Sequence, residues 1–575
     1  MTRRFSSDTL VIGSGLAGLS AAIEASRHGR VALLAKLYPT RCHSSAAQGG
    51  IAAALGNEEP DSQEWHFFDT VKGSDYLADQ DCVEAMCGDA IKTVVGLERL
   101  GVPFSRTEAG KIAQRRFGGH TMEFGRAPVR RACYCADRTG LAIVSALYEQ
   151  AERCGIEFFP EFHILDIVIE AGDCLGAIAL EIKTGELCAF SAKSTIIASG
   201  GYGRLYATTS NAIQSTGDLP AILFEKGLPL KDMEFFQFHP TGLYGLGILI
   251  TEGARGEGGV LVNGRGERFM ETYAPHIKDL APRDMVSRAI IRELRAGRGI
   301  GGKDYVHLDL RGIPQKTLGS RLPEIVSFCK IYMGVDPSAA PIPVVPTAHY
   351  AMGGIPTDTD GRVLKDERGG VVEGLFAAGE CACASVHGAN RLGCNSLLDT
   401  VVFGRRAGGA AKSAQGKNIR EIPPGAMGPA AETLSTLLER QGGEKTGAIK
   451  KDLQLLMMDK CSVFRDEEGL SAAAGELEGL RQRSGNIRVM DKGKKFNTEV
   501  LEAIELGHMI NLAEAVIRSA LGRRESRGAH YREDYPERDD NNWLKHTFAF
   551  LREGKMTFGY SPVSITKLPP RKREY

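Results

Sequence analysis

Gly13-Ser-Gly-Leu-Ala-Gly18 constrains this chain more than any other stretch. The three glycines, spaced G-x-G-x-x-G, follow the apolar run Thr9-Leu-Val-Ile12 and lead into a helix-like segment from Leu16 to about His28. In a strand–turn–helix unit the glycines act differently. Gly13 permits the tight turn, Gly15 lets a pyrophosphate approach the backbone, and Gly18 lets helix and strand pack closely. The first N–H groups of the helix lack intrahelical acceptors and face phosphate charge. Because the motif stands in the first such unit of the chain, it predicts a dinucleotide-binding fold.

The second strand, Val31-Ala-Leu-Leu-Ala35, refines that expectation. A nicotinamide-type fold places an acid at its end to hold the ribose. Here the strand ends on Ala35 and Lys36, which favours FAD over NAD. The loop Pro39-Thr-Arg-Cys-His-Ser-Ser-Ala-Ala-Gln-Gly-Gly-Ile51 then offers small residues suited to a flat ligand, with His43 its one bulky nucleophile.

With 575 residues, 43% of them hydrophobic, the chain is long enough for several domains. Its zero formal net charge argues against nucleic acid as a partner. No apolar run has transmembrane length. Asp8 and the glycine loop leave no room for an export signal core, so the start reads as the first strand. A cytoplasmic location is expected, with membrane contact made through partners. The 13 cysteines match neither zinc spacing nor an iron–sulfur ladder and read as buried thiols; no metal site is expected.

Further along, Phe117-Gly-Gly-His120 reads as a turn. Strands are expected at 156–159, 164–170, 174–183 and 187–190, and separately at Ser194-Thr-Ile-Ile-Ala-Ser-Gly-Gly201. Polar, glycine-rich sequence after Phe238 reads as an insertion over the cofactor. The strand Gly374 to Glu380 returns beside the ligand, and helical spacing resumes after Pro424. The expected architecture is α/β: a Rossmann-like FAD-binding domain in two parts (1–239 and 346–420), a capping domain (240–345), a helical bundle (421–525) and a small C-terminal domain (526–575). The charges of the last segment read mostly as a solvated face.

The segments together resemble the flavoprotein subunit of succinate dehydrogenase and fumarate reductase. The likeness is carried by the glycine fingerprint, the His43 loop, Gln237-Phe-His-Pro-Thr-Gly242, Thr251-Glu252 and Pro282-Arg-Asp284. It continues through His349-Tyr-Ala-Met-Gly-Gly354, Gly388-Ala-Asn-Arg391 and Arg527-Gly-Ala-His-Tyr-Arg-Glu-Asp-Tyr535, along nearly the whole chain. The resemblance implies FAD linked covalently through His43. It implies further FAD contacts from Gly13, Ser14, Gly15, Leu16, Ala17, Gly18, Ala35, Lys36, Ser44, Gln48, Gly49, Gly50, Asp218, Glu380, Ser396 and Leu397. His239 and Thr251 would take one end of a C4 dicarboxylate, and His349 and Arg391 the other. It also implies an iron–sulfur subunit and cytochrome b-type membrane anchor subunits, which would place the chain peripherally on the cytoplasmic face of the cell membrane.

The residue types suit that chemistry. Two anionic ends require donors or cations at both, and Arg391 offers a planar fork. Interconverting succinate and fumarate moves a hydride, which a flavin accepts, and a proton, which the resemblance assigns to Arg283. A free guanidinium keeps its proton, with a pKa above about 12, so a relay is needed. Glu252 and Arg255, three apart, share one face of a helical turn and extend the chain Arg283–Glu252–Arg255 towards solvent. Two other readings stand beside this one. An L-aspartate oxidase has similar loops but lacks the linking histidine. A catalytically silent flavin subunit would not need His239, Thr251, Arg283, His349 and Arg391 together. Within the resemblance, Gln48 leans toward succinate oxidation and Pro282 toward fumarate reduction.

Overall fold

The structure, a computed structural model, describes residues 3–414 and 416–574. The run Thr9 to Ile12 lies inside the strand Arg3–Ile12, in the middle of an eight-stranded sheet. Its neighbours are Glu186–Ile197 on one side and Val31–Ala35 on the other, and both pair with it in parallel. Glu157–Pro160 continues the parallel set beyond Val31–Ala35, and Val371–Ala377 pairs in parallel with Glu186–Ile197. Val31–Ala35 is buried throughout, as a strand covered on both faces must be. Register brings the carboxyl ends into line: Ile12 lies opposite both Leu34 and Ile197, and Ala377 opposite Ile197. Gly13, Lys36, Ala198 and Ala378 therefore leave the sheet at one edge, where open α/β folds bind ligands.

Two helices start at that edge, Leu16–Ala25 and Asn395–Ala410. They pack almost backbone to backbone through Gly404 and Gly408. A Cβ at these positions would stand 2.5 Å from Ala17 O and 2.3 Å from Ala21 O respectively. The shared glycine contact sets the second half of Asn395–Ala410 against the first turns of Leu16–Ala25.

A second, four-stranded antiparallel sheet runs in the order Phe236–Leu243, Ile342–Ala351, Val306–Asp309, Val260–Val262. It carries the helices Arg283–Arg295 and Pro323–Met333. This capping unit joins the FAD-type sheet through its first two strands, on which His239 and His349 lie. Asp137, from the other unit, accepts the Glu324 and Ile325 N–H groups at 3.2 and 2.9 Å, seating the start of helix Pro323–Met333. Beyond it come the helices Gly428–Glu439, Thr446–Lys460, Glu467–Ser484 and Thr498–Gly522. Among the described residues no helix is long and apolar enough to cross a membrane, and the cysteines are free.

Three sequence expectations change. The separate strands at 187–190 and Ser194–Gly201 are one, Glu186–Ile197, because it is long enough to pair with Arg3–Ile12 from Arg3 onward. Phe117–His120 is not a turn but part of the strand Gln114–Met122. Its glycines mark close approach instead: a Cβ on Gly118 would lie 2.4 Å from Glu252 Oε1. The C-terminal segment is not all solvated face. Arg527, His530, Arg532 and His546 are buried; Arg527 pairs with Glu525 and Asp540, and Arg532 with Asp534.

That segment forms the hairpin Lys545–Arg552 and Lys555–Pro562, docked on Leu230–Lys231. The buried His546 ring lies 2.7 Å from Asp232 and 3.0 Å from Asp79. Burial disfavours its charge, but Asp79, with Asp232, outweighs burial and raises its pKa above the usual 6.5. Burial likewise opposes ionisation of Asp79 and Asp232, and His546 reverses it, lowering both. Linkage then fixes the signs. The histidine contribution is full below pH 6.5 and is lost as pH rises through the folded value. The aspartate contributions are full above the usual carboxylate range and are lost as pH falls. The melting temperature should therefore fall above pH 6.5. A His546→Gln variant, compared by calorimetry across pH 6 to 9, should show a lower but flatter profile.

Candidate active site

One cavity of about 480 Å³ runs from the sheet edge to the capping unit. The helix Leu16–Ala25 starts at the cavity's inner end, and Asn395–Ala410 starts nearer the cap, where Ser396 Oγ accepts from Arg391. Their N-cap residues, Gly15 and Cys394, contribute no side-chain acceptor, whereas Ser62, Asp466 and Asn497 cap their helices in the ordinary way. Ser14, Gly15, Leu16, Ala17, Ala35, Lys36, Gly49, Gly50, Ser396 and Leu397 line the cavity. Gly13 does so at φ 114°, a left-handed backbone that favours glycine. Gly18 does not line the cavity; it packs behind the turn, where a Cβ would stand 1.8 Å from Gly13 O. Gln48 Oε1 and Ser199 Oγ are buried there without a protein partner. The glycine turn and helix start at Leu16, whose N–H donates to Ser44 Oγ at 3.3 Å, the second helix start and the orphaned polar groups fit the phosphates and polar edges of FAD.

Lys36, at the end of the second strand, is held by two acids from elsewhere in the chain. Its ammonium lies 2.8 Å from Asp218 and 2.5 Å from Glu505, the latter reaching in from helix Thr498–Gly522. His163, Asp218 and Glu505 cluster as metal ligands do, but the Lys36 ammonium already supplies the positive charge among them.

The His43 loop is pinned from several sides. Ser45 Oγ donates to Thr40 O at 2.7 Å, and Gln214 Nε2 to Arg41 O at 2.9 Å. The Ala212 N–H donates to His43 Nδ1 at 3.3 Å. Burial, with the Arg391 charge, pushes the His43 imidazole down to about 4, so it is neutral and nucleophilic at neutral pH. Arg115, absent from the sequence expectations, clamps the loop: it donates to Gln48 O at 3.1 Å and Ala136 O at 2.7 Å, and also to Gly49 O. Its one outward sign was a place beside Phe117-Gly-Gly-His120. Glu380 accepts the Ala351 N–H at 3.0 Å, and burial raises its carboxyl to about 7.

At the cap end the expected substrate residues converge. His239 and His349 stack edge to face with centroids 5.1 Å apart. His239 Nδ1 accepts the Thr241 N–H at 3.2 Å, leaving Nε2 without a protein partner. His349 Nδ1 is 2.7 Å from Ser210 Oγ. Burial first, and Arg283 next, hold both rings well below the usual imidazole value, hence neutral. Thr251 adds a buried hydroxyl to the wall. Arg283 Nε donates to Glu252 Oε2 at 2.7 Å, and Glu252 Oε1 accepts the Gly118 N–H at 2.7 Å. Arg255 lies 3.8 Å from Glu252, on the expected helical turn, but its side chain is fully buried and does not reach solvent. It donates to Asp279 O, and Asp279 pairs with the half-exposed Arg268 at 3.3 Å.

Gln237 holds this end together. Its Oε1 accepts from Arg283 Nη1 and Arg391 Nη2, both at 3.2 Å, and its Nε2 donates to Arg391 O at 2.8 Å. In the sequence Gln237 stands out only as part of a motif. Its bridging role is visible only once both arginines are placed.

The family described as FAD binding domain matches residues 8–397, and the one described as fumarate reductase flavoprotein C-term matches 450–575. The chain is 47% identical to the succinate dehydrogenase flavoprotein subunit of Coxiella burnetii, over 99% of this chain and 98% of the relative. The chain belongs to the family of succinate dehydrogenase and fumarate reductase flavoprotein subunits. It is also 41% identical to the fumarate reductase flavoprotein subunit of a Serratia species, over 99% of this chain and 97% of the relative. Among solved structures, the FrdA chain of a variant Escherichia coli quinol fumarate reductase superposes with a TM-score of 0.93 at 40% identity, covering 100% of this chain and 99% of the other. As in this family, the enzyme is an FAD-dependent oxidoreductase of the succinate–fumarate type.

Gln237→Leu should leave flavin bound while two guanidiniums lose their common acceptor. Dicarboxylate affinity, read from perturbation of the flavin absorption band, should weaken about ten- to hundredfold.

Proposed function

We propose that this chain interconverts succinate and fumarate with FAD attached through His43. Electrons would pass to or from an iron–sulfur partner and, through a cytochrome b-type membrane anchor, the quinone pool. The observation that carries the reading is a pair of buried guanidiniums, Arg283 and Arg391, on one amide oxygen, that of Gln237. Arg283 has Glu252 beside it, but among the described residues no carboxylate lies within salt-bridge distance of Arg391, and His239 and His349 are neutral. An uncompensated guanidinium beside neutral imidazole donors suits an anionic carboxylate ligand.

Bound FAD supplies the hydride acceptor, cradled by the glycine turn, the His43 loop, Lys36, Asp218, Glu380 and the Ser396–Leu397 helix start. Arg391 and His349 hold one substrate carboxylate; His239 and Thr251 hold the other. The Arg391 charge at one end and the neutral donors at the other stabilise the electron density that builds on a carboxylate as a C–H bond breaks. In reduction Arg283 gives a proton to the substrate carbon and regains one through Glu252; in oxidation it first passes its own proton to Glu252 and then takes the one from the substrate carbon. Glu252, 2.7 Å from Arg283 Nε, is the next carrier, followed by Arg255. With Thr251, Glu252 and Arg283 all on the capping unit, closure of that unit completes the site and excludes water. The family's dehydrogenase and reductase relatives fit both directions of the same step.

Two measurements test this. Succinate should bleach the flavin anaerobically and fumarate should restore it; Arg283→Ala should keep flavin and dicarboxylate binding but lose about 10²- to 10⁴-fold in turnover. Near-normal turnover in that variant would sink the assignment. For the linkage, flavin fluorescence should stay with the denatured wild-type polypeptide and leave it in His43→Ser.

A further inference from the structure

We propose that Tyr350 is the positioning residue of Arg391, holding the guanidinium on the face of its ring so that the positive charge stays uncompensated until a substrate carboxylate arrives. Tyr350 has this role only if Arg391 grips a dicarboxylate, as proposed above.

Arg391 differs from the buried arginines that carry an ion pair, and from Arg115 and Arg465, which lack one but bond to backbone carbonyls. Arg131 has Asp61 and Asp69, Arg523 has Glu234 and Glu525, and Arg283 has Glu252. Among the described residues no carboxylate lies within salt-bridge distance of Arg391. Its direct partners are neutral: Ser396 Oγ at 2.9 Å, Gln237 Oε1 at 3.2 Å, and the Tyr350 ring, whose centroid is 4.4 Å from the guanidinium carbon. Its Nε is buried with no partner. Gln237 and Tyr350 are themselves cross-strand partners, opposite one another on Phe236–Leu243 and Ile342–Ala351. One pair of strands thus supplies both grips.

The ring is fixed from behind. Its hydroxyl donates to Asp399 Oδ2 at 3.3 Å, and the His387 ring meets it edge-on, with centroids 5.3 Å apart at 84°. His387 Nε2 is in turn 3.4 Å from the same Asp399 oxygen. A carboxylate in place of the ring would hold Arg391 more firmly but would cancel the charge and compete with the substrate. A ring face attracts the cation through its quadrupole and leaves the N–H groups free to bond elsewhere. Asp399, accepting from the hydroxyl, keeps the electron-rich face turned toward Arg391.

The experiment uses the full-length, flavin-loaded chain with malonate as the probe, read from the flavin absorption band, alongside KM and kcat for succinate. Tyr350→Phe should bind malonate within about threefold of wild type, and Tyr350→Leu about tenfold more weakly. In the latter KM should rise by a similar factor while kcat changes far less, the mark of lost ground-state binding. An isosteric series, Tyr350→Phe carrying one, two and three ring fluorines, should weaken malonate step by step, and it decides the matter alone if Tyr350→Leu does not fold. A flat fluorine series, or a Tyr350→Phe variant as weak as Tyr350→Leu, overturns the role of the ring face. A wild-type chain that neither binds malonate nor is bleached by succinate overturns the dicarboxylate reading, and this role with it.

Discussion

Like charges buried side by side are what this site is built around. Arg283 and Arg391 both bond to one amide oxygen, that of Gln237, in a region that water does not screen. Two guanidiniums in a low-dielectric pocket repel strongly, and desolvation adds to the cost. Burial, then Arg283, accordingly bring Arg391 down to about 10. That repulsion is tolerated because Glu252 offsets part of it and the surrounding packing leaves neither side chain another place to go. A free protein carrying such strain is preorganised for an anion: the electrostatic work is done in folding, and binding releases it.

The two sheets bring those charges together by different means. Parallel strands in register deliver Gly13, Lys36, Ala198 and Ala378 to one edge, and the Gly404 and Gly408 contacts seat the helix Leu16–Ala25 against Asn395–Ala410 there. The cap sheet then hangs from the strands Phe236–Leu243 and Ile342–Ala351, so that His239 and His349 face each other where the two units meet. The groups meant for the cofactor belong to the first sheet. Glu252 and Arg255, at and within Gly253–Gly256, and Arg283, the first residue of Arg283–Arg295, belong to the capping unit.

How much of this could be read from residue order follows from how local each feature is. The glycine turn, the second strand and the His43 loop are local patterns, and they stand where the spacing puts them. The helical part after 425 was legible from its periodicity, and so was the pairing of Glu252 with Arg255 on one turn. Features made by distant contacts were not. Arg115 acts on carbonyls 66 and 67 residues away, and Glu505 reaches Lys36 across most of the chain. The Phe117–His120 glycines looked like a turn because glycine marks tight turns and close approaches alike. Charged residues near the C-terminus looked solvated because composition cannot show that Arg527 and Arg532 have carboxylates folded over them.

Gln237 also has a mechanical consequence. It sits on a strand that joins the two units, and its oxygen ties the cap's Arg283 to Arg391 of the other unit. Any hinge motion wide enough to admit or release a ligand must stretch those same bonds. A dicarboxylate gripped by Arg391 and His349 at one end and by His239 and Thr251 at the other would rivet the halves shut, and its departure would leave the Gln237 amide as the link between the two guanidiniums. Ligand residence and hinge frequency would then be two readings of a single spring.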